Sequence, residues 1–238
     1  MHYIFTIEGN IGSGKSTLLN ILKQNLTNIN DTEIVYLDEP VSTWESIQDK
    51  SGKNIIEKFY NDNKKYAFSF QMMAYISRIH EIKKTLKEKK NIIIICERSV
   101  FTDKKVFTQM LYDDKKISDI DYQIYNNWFY EFIMDIPISG IIYLKTSTEI
   151  CFKRVEKRSR IGEEDIPIEY LENCNNYHNK WLLYESIPLI ILDGNNDFNS
   201  KFPKSWLNIL KTFIIDLSPD FNKSIEPQHL LMAGMPIY

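Results

Sequence analysis

The run Gly9-Asn10-Ile11-Gly12-Ser13-Gly14-Lys15-Ser16-Thr17 constrains this chain more than any other stretch. From Gly9 to Ser16 it fits G-x-x-x-x-G-K-[ST] at every position. It lies between a strand-like run at residues 3–8 and a helix-like stretch with Leu18, Leu19, Leu22 and Leu26 on one stripe. Such a loop needs glycines because its backbone must curl until successive N–H groups face a polyphosphate. The helix N-terminus behind it adds partial positive charge. In this arrangement Lys15 reaches the β- and γ-phosphates and Ser16 offers a hydroxyl to Mg²⁺. The motif predicts a nucleoside triphosphate, ATP or another, together with Mg²⁺, and leaves the reaction open. A chance glycine-rich turn would not explain strand, motif and helix in register.

Further strand-like runs fall at residues 33–37, 91–96, 141–144 and 189–192. Helical patterns fall at 54–60, 66–88, 103–112, 119–135, 148–158, 168–185 and 204–215. Strands alternating with helices imply βαβ units, so the expected architecture is α/β: a parallel five-stranded sheet with helices on both faces. Residues 91–96 (NIIIIC) suit a central strand covered on both sides. No repeat or linker interrupts residues 1–216, which are expected to form one domain. Residues 217–238, with Pro219, Pro227 and Pro236, are expected to be a tail of unknown role that packs back on it.

A net charge of −3 gives no general attraction to nucleic acid polymers or anionic membranes. No apolar stretch approaches the roughly 18 residues of a membrane span. Residues 1–3 lead straight into a strand without a basic leader, so a soluble cytoplasmic protein is expected. The 3 cysteines (Cys96, Cys151, Cys174) are scattered and form no cluster with the 4 histidines. They are expected to be buried thiols, not a disulfide framework or a zinc site.

Acceptor chemistry is sought beyond the C-terminal strand ends, where ligands gather in parallel sheets. Glu39 follows the second strand, and is either a solvated loop acid or the acceptor of a substrate hydroxyl proton. Glu97 and Arg98 close the isoleucine strand. Glu97 suits Mg²⁺, directly or through water, and Arg98 suits phosphate or Glu39. Gln71, Ala74 and Arg78 share one stripe of the long helix, which is either a partly exposed face or a pocket wall reading a flat polar ligand. Arg154, Arg158 and Arg160 precede a polar loop, and are either a solvated basic helix end or a lid over transferring phosphate.

Taken together, the motifs resemble the deoxynucleoside kinase family, which includes deoxycytidine, deoxyguanosine and non-zinc thymidine kinases. The matching stretches are IEGNIGSGKST (7–17), EPVSTW (39–44), FSFQMMAYISRI (68–79), ERSVFTD (97–103), GIIYLKTSTEIC (140–151), KRVEKRSR (153–160), IPIEYLE (166–172), KWLL (180–183) and LDGNNDF (192–198). The resemblance implies a P-loop kinase fold with an arginine lid and transfer of phosphate to a deoxynucleoside 5′-hydroxyl. It implies Glu39 as general base, Arg98 as its partner and Glu97 near Mg²⁺. Gln71 would pair with the base, between aromatic walls formed by Trp44, Phe70 and Phe107. Tyr60 and Glu163, rather than neighbouring Glu164, would hold the sugar 3′-hydroxyl. Arg154, Arg158 and Arg160 would form the lid, with Asp197 and Phe198 near the donor base.

Members preferring deoxycytidine or deoxypurines carry an Arg and an Asp where this chain has Arg78 and Asp103, and Ala74 matches the same pattern. Those substrates are therefore expected over thymidine. A homodimer, feedback by an end-product deoxynucleoside triphosphate and a role in nucleotide salvage are also expected by resemblance. The alternatives are a thymidine-preferring or broad-specificity kinase of the family, a nucleoside monophosphate kinase, and a non-catalytic P-loop ATPase module. The loop 161–165 begins Ile-Gly where relatives often carry a polar residue.

Overall fold

The computed structural model describes residues 1–134, 136–158, 163, 166–198 and 202–221. The chain runs β1 (His2–Glu8), α1 (Lys15–Asn25), β2 (Asn28–Ile29), β3 (Thr32–Leu37), α2 (Val41–Glu45), α3 (Ile55–Asn61), α4 (Asn63–Glu88) and β4 (Ile92–Glu97). A continuous helical stretch follows: α5 (Val100–Thr102), a π-helical turn (Asp103–Thr108) and α6 (Gln109–Asp113). Then come α7 (Asp119–Ile133), β5 (Gly140–Lys145), α8 (Thr148–Arg158), α9 (Ile168–Leu183), β6 (Leu189–Asp193) and α10 (Lys204–Asp216).

The strand order is β2-β3-β4-β1-β5-β6. The five expected strands are parallel, and β4 and β1 lie inside the sheet. The expected count of five is corrected to six by β2, two residues antiparallel to β3. Its turn, Asn30-Asp31, has φ of 46° and 63°, the left-handed pair that suits a tight hairpin. Two residues are too few to show a hydrophobic pattern in the sequence.

Alternation along β4 divides its isoleucines between two cores. Ile93 and Ile95 join Phe5 and Ile7 against Leu18 and Leu22 of α1 and Leu210 and Ile214 of α10. Ile92, Ile94 and Cys96 join Ile4 against Tyr75, Ile79 and Ile82 of α4 and Tyr125 and Phe129 of α7. Each such buried side chain stabilises the fold by about 1.5–3 kcal/mol relative to exposure. All three cysteines are free and buried.

Local caps set the helix boundaries. The Asp62 side chain accepts from the Lys65 N–H, so α4 starts three residues before the expected Tyr66. Asn54 and Glu57 form a capping box on α3. Ser99 caps α5, so that helical stretch begins ahead of the expected Asp103. The short α2 after Pro40 was not expected, because five residues carry no helical repeat.

Near the end of the described residues, the Phe221 ring meets Tyr3 of β1 edge-on, centroids 5.5 Å apart. Residues 222–238 lie outside the described residues. Among the described residues, no helix is long and apolar enough to cross a membrane.

The register pairs Ile7 with Glu97 and Leu37 with Cys96, which brings the C-terminal ends of β1, β3 and β4 level. The glycine loop, Glu39 and Arg98 therefore leave the sheet at one edge.

Candidate active site

The glycine loop closes on itself between β1 and α1. At Gly12, φ is +77° and a Cβ would lie 2.4 Å from the Cys151 carbonyl oxygen. At Gly14, φ is +101° and a Cβ would lie 2.8 Å from the Phe198 ring. Asn10 ties the loop down: its Nδ2 donates to the Leu171 carbonyl at 2.8 Å and its Oδ1 accepts from the Ile11 N–H at 2.8 Å. Lys15 Nζ donates to the Asn10 carbonyl at 2.7 Å. Burial, together with the Arg98 charge, lowers the Lys15 ammonium to about 7. A polyphosphate beside it would restore its charge.

Ser16 Oγ donates to Glu97 Oε1 at 2.8 Å. Burial and the neighbouring Glu39 charge raise the Glu97 carboxyl above its usual range, against the pull of Lys15 and Ser16. A hydroxyl and a buried carboxylate sharing one edge match the oxygen donors that Mg²⁺ accepts, with water and phosphate completing the shell. Among the described residues, no cluster of three or more His, Cys, Asp or Glu side chains is placed to hold a metal by itself.

Glu39 stands between the loop and a pocket under α4. Arg78 Nη2 lies 3.1 Å and Arg98 Nε 3.3 Å from Glu39, both at Oε1. Burial alone would raise this carboxyl, but the charges of Arg98, Arg78 and Lys15 overcome it and hold it at about 2. Glu39 is thus ionised at neutral pH. Arg98 has φ +65°, an uncommon conformation for a residue with a side chain. Its backbone N–H donates to the Ile7 carbonyl at 3.0 Å and its Nη1 to the Gly9 carbonyl at 2.8 Å. Its guanidinium lies 5.1 Å from the centre of the Phe107 ring.

Arg78 Nε donates to Asp103 Oδ2 at 3.0 Å, and Nη1 donates to the Glu97 carbonyl at 2.8 Å. Burial raises the Asp103 carboxyl to about 6 although Arg78 pulls it down. Trp44, Phe70, Ala74 and Phe107 line the same space, and Trp44 and Phe70 meet edge-on at 5.6 Å. Gln71 is only 3 % exposed, and its side-chain Oε1 is buried without a hydrogen-bond partner among the described residues. An amide oxygen buried at a pocket wall without a partner is a vacancy for a ligand's donor.

These groups line one cavity of about 560 Å³, running from Gly12–Thr17 past Glu39 to Gln71 and on to Tyr60 and Glu163. Of the lid candidates, Arg154 Nη1 donates to the Ser13 carbonyl and Nη2 to the Asn196 carbonyl, both at 3.0 Å. Arg158 is ion-paired with Glu163. Arg160 and Glu164 lie outside the described residues. Phe198 does not line the cavity: it is 3 % exposed, beneath Gly14 and against Trp206. Asp197 is exposed.

Five lining residues escaped sequence reasoning: the apolar Ile11, Ile56 and Phe59, and the polar Tyr170 and Lys157. Tyr170 of α9 meets Tyr60 edge-on at 6.2 Å. Its stretch, IPIEYLE, was recognisable, but nothing in it marked the tyrosine. Lys157 lines the cavity one turn beyond Arg154, in a helix end where any cation reads as solvated surface.

The fold and the site define a P-loop kinase. The deoxynucleoside kinase family profile matches residues 5–214, so the chain belongs to the deoxynucleoside kinase family, whose members are phosphotransferases. It is 38% identical over 226 residues to a probable deoxycytidine kinase of fowlpox virus (strain NVSL), covering 91% of this chain and 90% of the relative. It is 34% identical over 242 residues to human deoxycytidine kinase, covering 89% and 91%. It is 28% identical over 242 residues to the mitochondrial deoxyguanosine kinase of Xenopus laevis, covering 89% of each.

Proposed function

We propose that this chain transfers the γ-phosphoryl group of ATP, or of another nucleoside triphosphate, to the 5′-hydroxyl of deoxycytidine or a deoxypurine in preference to thymidine. The observation that carries this reading is the partnerless Gln71 side-chain oxygen facing the same cavity as the buried Arg78–Asp103 pair. A polar, charged wall suits a base with an exocyclic amine or a purine edge, while a thymine 5-methyl needs apolar space. Trp44, Phe70 and Phe107 would enclose the base, and Tyr60 and Glu163 would receive the sugar.

In the transfer, Glu39 accepts the 5′-hydroxyl proton while the O5′–Pγ bond forms. The bond from Pγ to the β-phosphate oxygen breaks, and ADP leaves with its electron pair. A carboxyl held near 2 is a weak base, so Glu39 acts mainly by aiming the hydroxyl and taking its proton late. That suits the loose transition state of phosphoryl transfer. Lys15, Arg154 and Arg158 would hold phosphate charge. Ser16 and Glu97 would hold Mg²⁺, which when bound neutralises charge on the β- and γ-phosphates.

The exposed side chains of Ile76 on α4 and Ile124 and Trp128 on α7 support a homodimer. A cytoplasmic salvage role and feedback by a deoxynucleoside triphosphate accompany the reading.

The test is ADP formation from Mg·ATP with deoxycytidine, deoxyadenosine, deoxyguanosine, thymidine and the four monophosphates, beside a Glu39→Gln variant. Activity on deoxycytidine or a deoxypurine, sharply lowered but still measurable in the variant, is expected. Thymidine as best substrate would overturn the base preference. Turnover of monophosphates alone would overturn the acceptor assignment.

A further inference from the structure

Arg78 faces Asp103 as its ion-pair partner, yet its fork has three destinations. Nε goes to Asp103 Oδ2 at 3.0 Å, Nη1 to the Glu97 carbonyl at 2.8 Å and Nη2 to Glu39 Oε1 at 3.1 Å. The guanidinium is planar and rigid, so it cannot shift on one partner without shifting on the others. It is 4 % exposed, with the Trp44 ring centre 5.9 Å away. Arg98 Nε reaches Glu39 Oε1 too, at 3.3 Å. Two guanidiniums, one from the pocket side and one from the phosphate side, thus grip a single carboxylate oxygen. Glu39 Oε2 has no hydrogen-bond partner among the described residues, and Glu39 lines the cavity. The terminal torsion of a glutamate is broad, so a carboxylate gripped from one side only would turn freely.

We propose that Arg78 is a positioning residue for the transfer step: it fixes Oε1 of Glu39 so that Oε2 faces the acceptor hydroxyl. The group that meets the base thereby also aims the group that takes the proton. Base identity is then felt in kcat as well as in KM, because a base that displaces Arg78 turns Glu39 with it. This rests on Glu39 being the proton acceptor.

A double-mutant cycle tests the coupling. Arg78→Met, Glu39→Gln and the double variant of the full chain are compared for kcat with deoxycytidine and for deoxycytidine binding by calorimetry. Arg78→Met alone is expected to weaken binding and to lower kcat by roughly tenfold to a hundredfold, as a misaimed group does. On the Glu39→Gln background, the same weakening of binding is expected with no further loss of kcat. An equal fold-loss of kcat on both backgrounds, or a change confined to binding, would overturn the proposal. If Glu39→Gln by itself retains kcat, the assignment of the base has failed instead, a separate result. Should Arg78→Met melt at the assay temperature, Arg78→Lys carries the same cycle. It keeps the charge but not the fork, so it is expected to lose kcat as well.

Discussion

Replacing Gln71 by leucine should make this protein more stable and less active at once. Leucine has a similar volume and removes an acceptor, Oε1, that is buried without a partner. Leaving such a group unsatisfied costs about 1–3 kcal/mol. Relief of even the lower figure raises the melting temperature of a domain this size by about 2–4 °C. The same change deletes the donor and the acceptor that would face a base edge. Loss of a bidentate contact, about 1–3 kcal/mol, lowers kcat/KM by roughly fivefold to 150-fold. The assay pairs a thermal melt without ligand with steady-state kinetics on deoxycytidine and deoxyadenosine. Opposite signs are the signature of a side chain kept for a ligand. A variant that melts lower and retains kcat/KM would show Gln71 to be an ordinary part of the core, and the reasoning would be wrong.

Lys157 lines the cavity with no ion pair among the described residues, whereas Arg154 is bound to two carbonyls and Arg158 to Glu163. Lys157→Gln should raise the KM for Mg·ATP by roughly three- to tenfold, as loss of one charge-assisted contact does, and leave the deoxynucleoside KM unchanged. Asp103 gives a pH signature. Its carboxyl is raised from 3.8 to about 6 by burial, so the folded state holds the proton more tightly than the unfolded chain. That contribution is full below about pH 4 and is lost as pH rises through about 6, a change of roughly 3 kcal/mol. Urea unfolding of the wild type and Asp103→Asn across this window should show the difference between them changing with pH by that order; a constant difference would refute it.

What the sequence made legible was contiguous. The glycine loop, the five long strands and most helices each write their pattern in a single window. Contacts that close across the sheet edge do not. Arg78 was visible as a residue of the long helix and Glu39 as an acid after a strand, but their 3.1 Å contact depends on the register of β3 and β4 against α4. Phe198 was expected near a nucleotide base. Its burial beneath Gly14 follows from how the loop after β6 folds under the glycine loop, which no local pattern encodes. Lys157 and β2 were missed for the opposite reason: their local signals are indistinguishable from ordinary surface and ordinary turn.

The π-helical turn Asp103–Thr108 gives this stretch a reading frame. A π turn holds about one residue more than an α turn, so relaxing it to α geometry would require losing a residue. Lys105 is exposed, while Lys104 is half-buried with its ammonium over the Phe129 and Tyr130 rings. Deleting one residue here would let the π turn relax to α geometry with its flanks still in phase, whereas inserting one would wind the stretch about 100° against its flanks, a single α-helical step. Asp103 would swing away from Arg78, or Val106 and Met110 would leave the core. Length changes in this stretch are therefore asymmetric: a single deletion has a register-preserving outcome and an insertion does not, so designed libraries here should never add residues.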